Sequence, residues 1–210
     1  MADTLLQVDA SPRAGSATRE LTATYAEAWL VANPGGTVVR HDLAVLNPPH
    51  LNATEMGAWF DDPTAHTDLH HLVLARSNDL IDDVLAATEI VFGVPMWNFS
   101  IPSSLKAWID HVVRAGRTFQ YTETGVAGAV PAHRAVVLSS SGSDYAEGSE
   151  LEGANMVGSY LSLILGFIGI EQVDIVHVNR QGPTWPDAAA SLAAARVEVL
   201  DLVEPSIIRI

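Results

Sequence analysis

Short apolar runs rich in β-branched residues alternate with longer amphipathic segments along the whole chain. Thr4 to Asp9, Thr37 to Asp42, Glu89 to Val94, Arg134 to Ser139 and Gln172 to Val178 read as strands. Glu89 to Val94 carries no charge after its first residue, the signature of a strand buried on both faces of a parallel sheet. Between these runs the period shifts to that of a helix. Ser16 to Ala32 places Leu21, Tyr25, Ala28 and Trp29 on one face, with Ser16 as N-cap and Glu20 in the opening turn. Asp68 to Ala87 carries Leu72, Leu74, Ile81 and Leu85. A helix capped by Ser103 or Ser104 carries Leu105, Trp108, Ile109 and Val112 and ends by Gly116, and Asn155 to Ile168 and Pro186 to Glu204 supply two more. Arg117 to Tyr121 reads as extended, followed by a turn at Gly125 and Gly128. Strict strand–helix alternation predicts an α/β fold: an open five-stranded parallel sheet, order 2-1-3-4-5, with helices on both faces and residues 1–210 as one domain.

In that order strands 1, 3 and 4 are neighbours, so the loops at their C-terminal ends lie side by side, on the edge where open α/β sheets bind ligands. The first loop, Ser11 to Thr18, offers the hydroxyls of Ser11, Ser16 and Thr18 and the N–H groups of a helix start, which suits a phosphate monoester. The second begins where Pro95 halts the third strand and carries Met96, Trp97, Asn98 and Phe99, a planar apolar surface beside an amide. The third, Ser139 to Ser143, is built of small residues whose backbone can approach a ligand closely. A phosphate anchor, an aromatic platform and a rim of backbone donors together describe a pocket for flavin mononucleotide (FMN). By itself each loop also has a plainer reading: a capped helix, packing aromatics, a flexible turn.

Composition narrows the partners. With 11 basic against 25 acidic residues the formal charge is −14, which disfavours nucleic acid and anionic membranes as partners. There is no cysteine, which excludes thiol catalysis, disulfides and Cys-ligated metal. No basic–apolar leader opens the chain, and the longest apolar run, Leu161 to Ile170, is too short to span a bilayer, so a cytoplasmic protein is expected. His50, His66, His70 and His71 cluster without an H-E-x-x-H pattern and read as exposed or capping residues, so no metal site is expected. G-x-G-x-x-G, a Walker P-loop and a G-x-S-x-G elbow are all absent.

Pro95-Met96-Trp97-Asn98-Phe99-Ser100-Ile101-Pro102, the run Arg114-Ala115-Gly116-Arg117-Thr118-Phe119-Gln120-Tyr121-Thr122-Glu123 and Leu165-Gly166-Phe167-Ile168-Gly169-Ile170 resemble the FMN-dependent NADH:quinone oxidoreductases, also called FMN-dependent NADH-azoreductases, of flavodoxin-like fold. The resemblance runs along nearly the whole chain. It implies phosphate contacts at Ser11, Ser16, Ala17 and Thr18, an isoalloxazine loop at Met96, Trp97, Asn98 and Phe99, and a loop at the flavin pyrimidine edge at Ser140, Ser141, Gly142 and Ser143. There the family's usual Ser-Arg-Gly-Gly is altered, Ser141 standing for Arg and Ser143 for Gly. It also implies a homodimer with both sites at the interface. NADH would donate two electrons to FMN, and a quinone, azo compound or related aromatic acceptor would take them in the same pocket (ping-pong).

No acid–base residue is required of the protein, so no catalytic side chain is assigned. Tyr121, Phe167, Trp59 and Phe60 are candidates to line the acceptor pocket, the last two on the irregular segment from Leu43 to Thr67 acting as a lid. That lid holds no Lys or Arg, which favours neutral acceptors. The rival readings are a flavodoxin-like electron carrier without its own substrate turnover, and a hydrolase using one of Ser139 to Ser143, for which no base partner is evident.

Overall fold

The computed structural model describes residues 3–203. Five parallel strands form the central sheet: β1 (Thr4–Asp9), β2 (Thr37–Asp42), β3 (Glu89–Pro95), β6 (Arg134–Ser140) and β7 (Gln172–Val178). Their order is β2-β1-β3-β6-β7, the expected one, with β6 and β7 as the fourth and fifth strands of the sequence reading. A further pair, β4 (Phe119–Thr122) and β5 (Gly125–Gly128), forms a separate antiparallel hairpin. The sequence reading took Gly125 to Gly128 as a turn. The turn is tighter, at Glu123 and Thr124, and both glycines are strand residues: Gly125 has a φ of 134°, and at Gly128 nothing larger fits, since a Cβ there would lie 2.2 Å from the Gly169 nitrogen.

Strand alternation divides the core in two. Ile90, Phe92 and Val94 of β3 face a layer built by α4 (Asp68–Ala86), α5 (Ser103–Val112) and α6 (Met156–Phe167). Val91, with Leu5 of β1 and Val136 and Leu138 of β6, faces α1 (Ala17–Ala32) and α7 (Ala188–Val203). On α4 the buried stripe is Val73, Ser77, Leu80, Ile81 and Val84, whereas Leu72 of the expected set is exposed. The segment from Leu43 to Thr67 holds α2 (Leu43–Leu46), α3 (Ala53–Phe60) and a 3₁₀ turn at Pro63–Ala65. Asn52 and Glu55 cap α3 reciprocally, and Thr67 and His70 do the same for α4, which gives His70 a capping role. The helix at Ser103 starts from Pro102 as N-cap, with no side-chain cap from either serine. Glu204, the expected end of the last helix, lies outside the described residues. Among the described residues no helix is long and apolar enough to cross a membrane.

One buried polar network pins the base of the sheet. Glu89, at the start of β3, accepts hydrogen bonds from Tyr25 Oη and from Trp29 Nε1 (2.9 Å), with Arg134 Nη1 3.7 Å away. Burial and the neighbouring carboxylate push the Tyr25 phenol up. Buried charge survives here because every partner is satisfied. At the opposite end, Asp9, Pro95 and Ser140 close β1, β3 and β6, and the three loops begin there.

Candidate active site

The first loop leaves the start of α1 open. Ser16 occupies the N-cap, but its side chain caps nothing; its Oγ instead lies 2.8 Å from Thr18 Oγ1. The backbone N–H groups of Ala17, Thr18 and Arg19 find no acceptor among the described residues. A buried helix end without partners calls for an external anion, which the helix dipole also favours. Arg19 binds Asp42 and donates from Nε to the Ser11 carbonyl (2.8 Å), fixing the loop's entry. That ion pair holds the Asp42 carboxyl below its ordinary value. Thr18 is fully buried, so it contributes backbone and a hold on Ser16 rather than an exposed hydroxyl.

The second loop turns sharply. Met96 donates its N–H to the Ser140 carbonyl (2.7 Å), tying β3 to β6, and Trp97 and Ser100 exchange backbone bonds (2.9 and 3.1 Å). Asn98 (φ 48°) and Phe99 (φ 69°) sit in the left-handed region, rare for residues with side chains. The Phe99 carbonyl accepts from Met156 at the start of α6 (2.9 Å), while the N–H groups of Asn98 and Phe99 have no acceptor among the described residues. Trp97 and Phe99 are 51% and 50% exposed, so packing beneath the next helix does not account for them. Phe99 meets Tyr145 edge-on at 6.3 Å.

The third loop has its carbonyls turned away. Those of Ser141, Gly142 and Ser143 accept from Gln181, Gly182 and Arg180 (2.9, 3.0 and 3.0 Å). The N–H groups of Gly142 and Ser143 stay without an acceptor among the described residues. Beneath the loop, His177 of β7 stands opposite Ser139 in register, with Nδ1 2.6 Å from Ser139 Oγ and Nε2 2.9 Å from Ser141 Oγ. The serines therefore do have an imidazole partner, which the sequence reading did not find.

The three loops meet at a cavity of about 190 Å³ lined by Ser11, Ser16, Ala17, Trp97 and Ser140, joined by Arg13, Glu20, Gln181 and Leu192. Arg13 and Gln181 were not singled out in the sequence. Arg13 sits inside the first loop but carries no pattern, and Gln181 arrives from the far end of β7, brought in by the backbone bonds just described.

A second, larger cavity of about 420 Å³ gathers Trp59, Phe60 and Tyr121 with Leu51, Met56, Phe119, Tyr160 and Ile164. Phe167 packs on Phe119 with centroids 4.7 Å apart. The acceptor-side candidates are thus brought together, but in one chain they do not line the cavity of the three loops. Lys106 on this wall pairs with Asp110, and Arg114 gives its guanidinium to Ser77 and Asn78.

The sequence profile of the flavodoxin-like fold matches residues 3–203. An FMN-dependent NADH:quinone oxidoreductase 2 of Pseudomonas fluorescens is 43% identical over 164 residues, 78% of this chain and 80% of that protein. The chain belongs to the family of FMN-dependent NADH:quinone oxidoreductases. Another member, from Nostoc punctiforme, is 38% identical over 201 residues, covering 95% of this chain and 97% of its own. Among solved structures, an azoreductase from Bacillus anthracis superposes with a TM-score of 0.86 at 25% identity, covering 96% of this chain and 98% of that one. An FMN-dependent NADH-azoreductase of the same species, solved in complex with FMN, gives 0.85 at 25% identity, covering 96% and 97%.

Proposed function

We propose that this protein passes two electrons from NADH through bound FMN to quinones and to azo or related aromatic acceptors, the donor and acceptor using one pocket in turn. The observation that carries the reading is the set of N–H groups at Ala17–Arg19, Asn98–Phe99 and Gly142–Ser143, without acceptors among the described residues, on three loops at one sheet edge. Ser11, Ser16, Ala17 and Thr18, with Arg13, would hold the phosphate, Met96 to Phe99 the ring, and Ser140 to Ser143 its pyrimidine edge. When bound, the flavin supplies a two-electron hydride acceptor that then serves as donor. The chain's own part is to bind and orient: the free amides of Asn98, Phe99, Gly142 and Ser143 suit negative charge, and Trp97 supplies a flat apolar wall. No side chain need transfer a proton.

A second copy of the chain completes this reading. Phe60 (74% exposed) and Tyr121 (76%) rim the apolar cavity, and in a homodimer one protomer's Phe60, Tyr121 and Phe167 would meet its partner's flavin loops. Each chain acts as a single FMN-binding domain in this scheme, in the cytoplasm where NADH is at hand. The apolar cavity also favours an enzyme over a simple electron carrier, which needs no acceptor pocket. Purified protein with added FMN is expected to show a bound-flavin visible spectrum, bleached by NADH and restored by a quinone. Failure to bind FMN overturns the reading, and bound flavin without steady-state NADH consumption favours the carrier. With no cation on α3 or the segment around it, Lys106 tied to Asp110 and the Arg114 guanidinium turned to Ser77 and Asn78, turnover of a neutral quinone should exceed that of a sulfonated azo dye.

A further inference from the structure

We infer that His177 is a positioning residue: its neutral ring, donating from Nε2 to Ser141, holds the Ser140–Ser143 loop in its flavin-binding shape, and acid releases it. The inference rests on the flavin reading above and adds a residue on β7 that the three loops themselves do not contain.

The hydrogen-bond network assigns the protons. Ser139 Oγ has two acceptors in reach, His177 Nδ1 at 2.6 Å and the Val176 carbonyl at 3.5 Å, so its hydroxyl donates to Nδ1. The ring proton therefore sits on Nε2 and is donated to Ser141 Oγ at 2.9 Å. Ser141 in turn donates to the Ser143 carbonyl at 2.9 Å. The chain of donors runs one way, from β6 through the imidazole to the loop, and fastens the carbonyl of Ser143, which Arg180 N–H also holds. This order also removes the hydrolase reading. A nucleophilic Ser141 would have to give its proton to Nε2, which already carries one, and Ser139, which does donate to the ring, is buried away from any substrate, as Ser141 is.

The surroundings keep the ring neutral. The groups facing it are Ser139 of β6, Ser141 and Tyr145 of the loop, Asn155 at the start of α6 and Asn179 at the end of β7. Tyr145 is the titratable one, and it presents its ring edge-on at 6.4 Å. On the same loop, Asp144 pairs with Arg180, which also holds Asp187. Asn155 cannot turn its oxygen to the ring, because that oxygen caps α6 by accepting from Val157 N (3.0 Å). Its amino group is left 3.3 and 3.5 Å from the two ring nitrogens, a fixed donor facing any added proton. Burial acts the same way and outweighs the hydrogen bond with Asn179, which favours the charged ring, so the His177 pKa lies below its ordinary 6.5. A ligand that covers the loop buries the ring further, so by linkage it binds the neutral form best.

The test is FMN affinity of the apoprotein, read by quenching of flavin fluorescence at pH 7.5 and pH 5.0. Wild-type affinity, divided by that of His177→Gln at the same pH to cancel the titration of the flavin phosphate, is expected to fall between pH 7.5 and pH 5.0, because protonation of the free protein's ring competes with binding. His177→Gln keeps an N–H donor near Ser141 without titrating and should match wild type at pH 7.5. His177→Phe should lose about tenfold at both pH values, the loss Gln rescues. A constant wild-type to Gln ratio, or a Phe variant that binds like wild type, overturns the inference while leaving the flavin reading intact. Wild-type protein that binds no FMN at either pH overturns both.

Discussion

Trp97 leaves half its ring in solvent directly after a strand whose other residues are buried. An exposed ring adds little to folding, so Trp97→Ala should change the melting temperature slightly, by an amount worth less than about 1 kcal/mol, and should weaken FMN binding about tenfold or more. Phe92→Ala on the same strand should do the reverse to stability, at a cost of about 3–5 kcal/mol. Thermal unfolding beside fluorescence titration separates the two. Asp9 gives a second prediction. Burial raises its pKa above 3.8, against hydrogen bonds from Thr22 Oγ1 (2.7 Å) and Gln7 Nε2 (2.8 Å). A raised value means the folded state binds the proton more tightly, so this contribution to stability is full below pH 3.8 and is lost as pH rises through the folded value. Asp9→Asn should remove that loss, and its melting temperature relative to wild type should rise between pH 4 and pH 7. A pH-independent difference would show that Asp9 is not the group responsible.

At the scale of elements, the sheet order was legible because apolar runs and amphipathic segments alternate cleanly, and the loops of strands 1, 3 and 4 follow from that order. The Ser11 and Met96 loops were legible for the same reason: each stands directly after a buried strand. What the pattern could not show was contact between elements distant in the chain. His177 looks like an outward polar residue of an edge strand until the register sets it against Ser139. Gln181 enters the cavity only because Gly142 and Gly182 approach closely, a Cβ on Gly182 falling 2.6 Å from the Gly142 oxygen. The β4–β5 hairpin was hidden by its glycines, which ordinarily mark turns. Gly128 is there for contact with the end of α6, so Gly128→Ala should push the hairpin and Tyr121 away from α6. Acceptor KM is then expected to rise several-fold with FMN affinity unchanged, since the hairpin does not line the flavin-side cavity. A fall in FMN affinity with unchanged KM would contradict that division of labour.

For the whole molecule, the separation of the two cavities argues for assembly. Phe60, Tyr121 and Leu163 are large apolar side chains left in solvent. Light scattering on a sizing column should give twice the chain mass, and Phe60→Glu should shift it toward the monomer and lower turnover while FMN stays bound; a monomeric wild type would refute the assembly. One feature of the flavin edge bears on the stability of the whole. The left-handed backbone at Asn98 and Phe99 costs roughly 1 kcal/mol per residue. The chain that holds this turn is less stable than its sequence allows, and a ligand that takes up the turn's free amides would offset that cost. Asn98→Gly should relax that tension: the ligand-free protein melts higher while FMN binds more weakly. The same turn that looks costly in isolation is what aims two free amides at a single ligand.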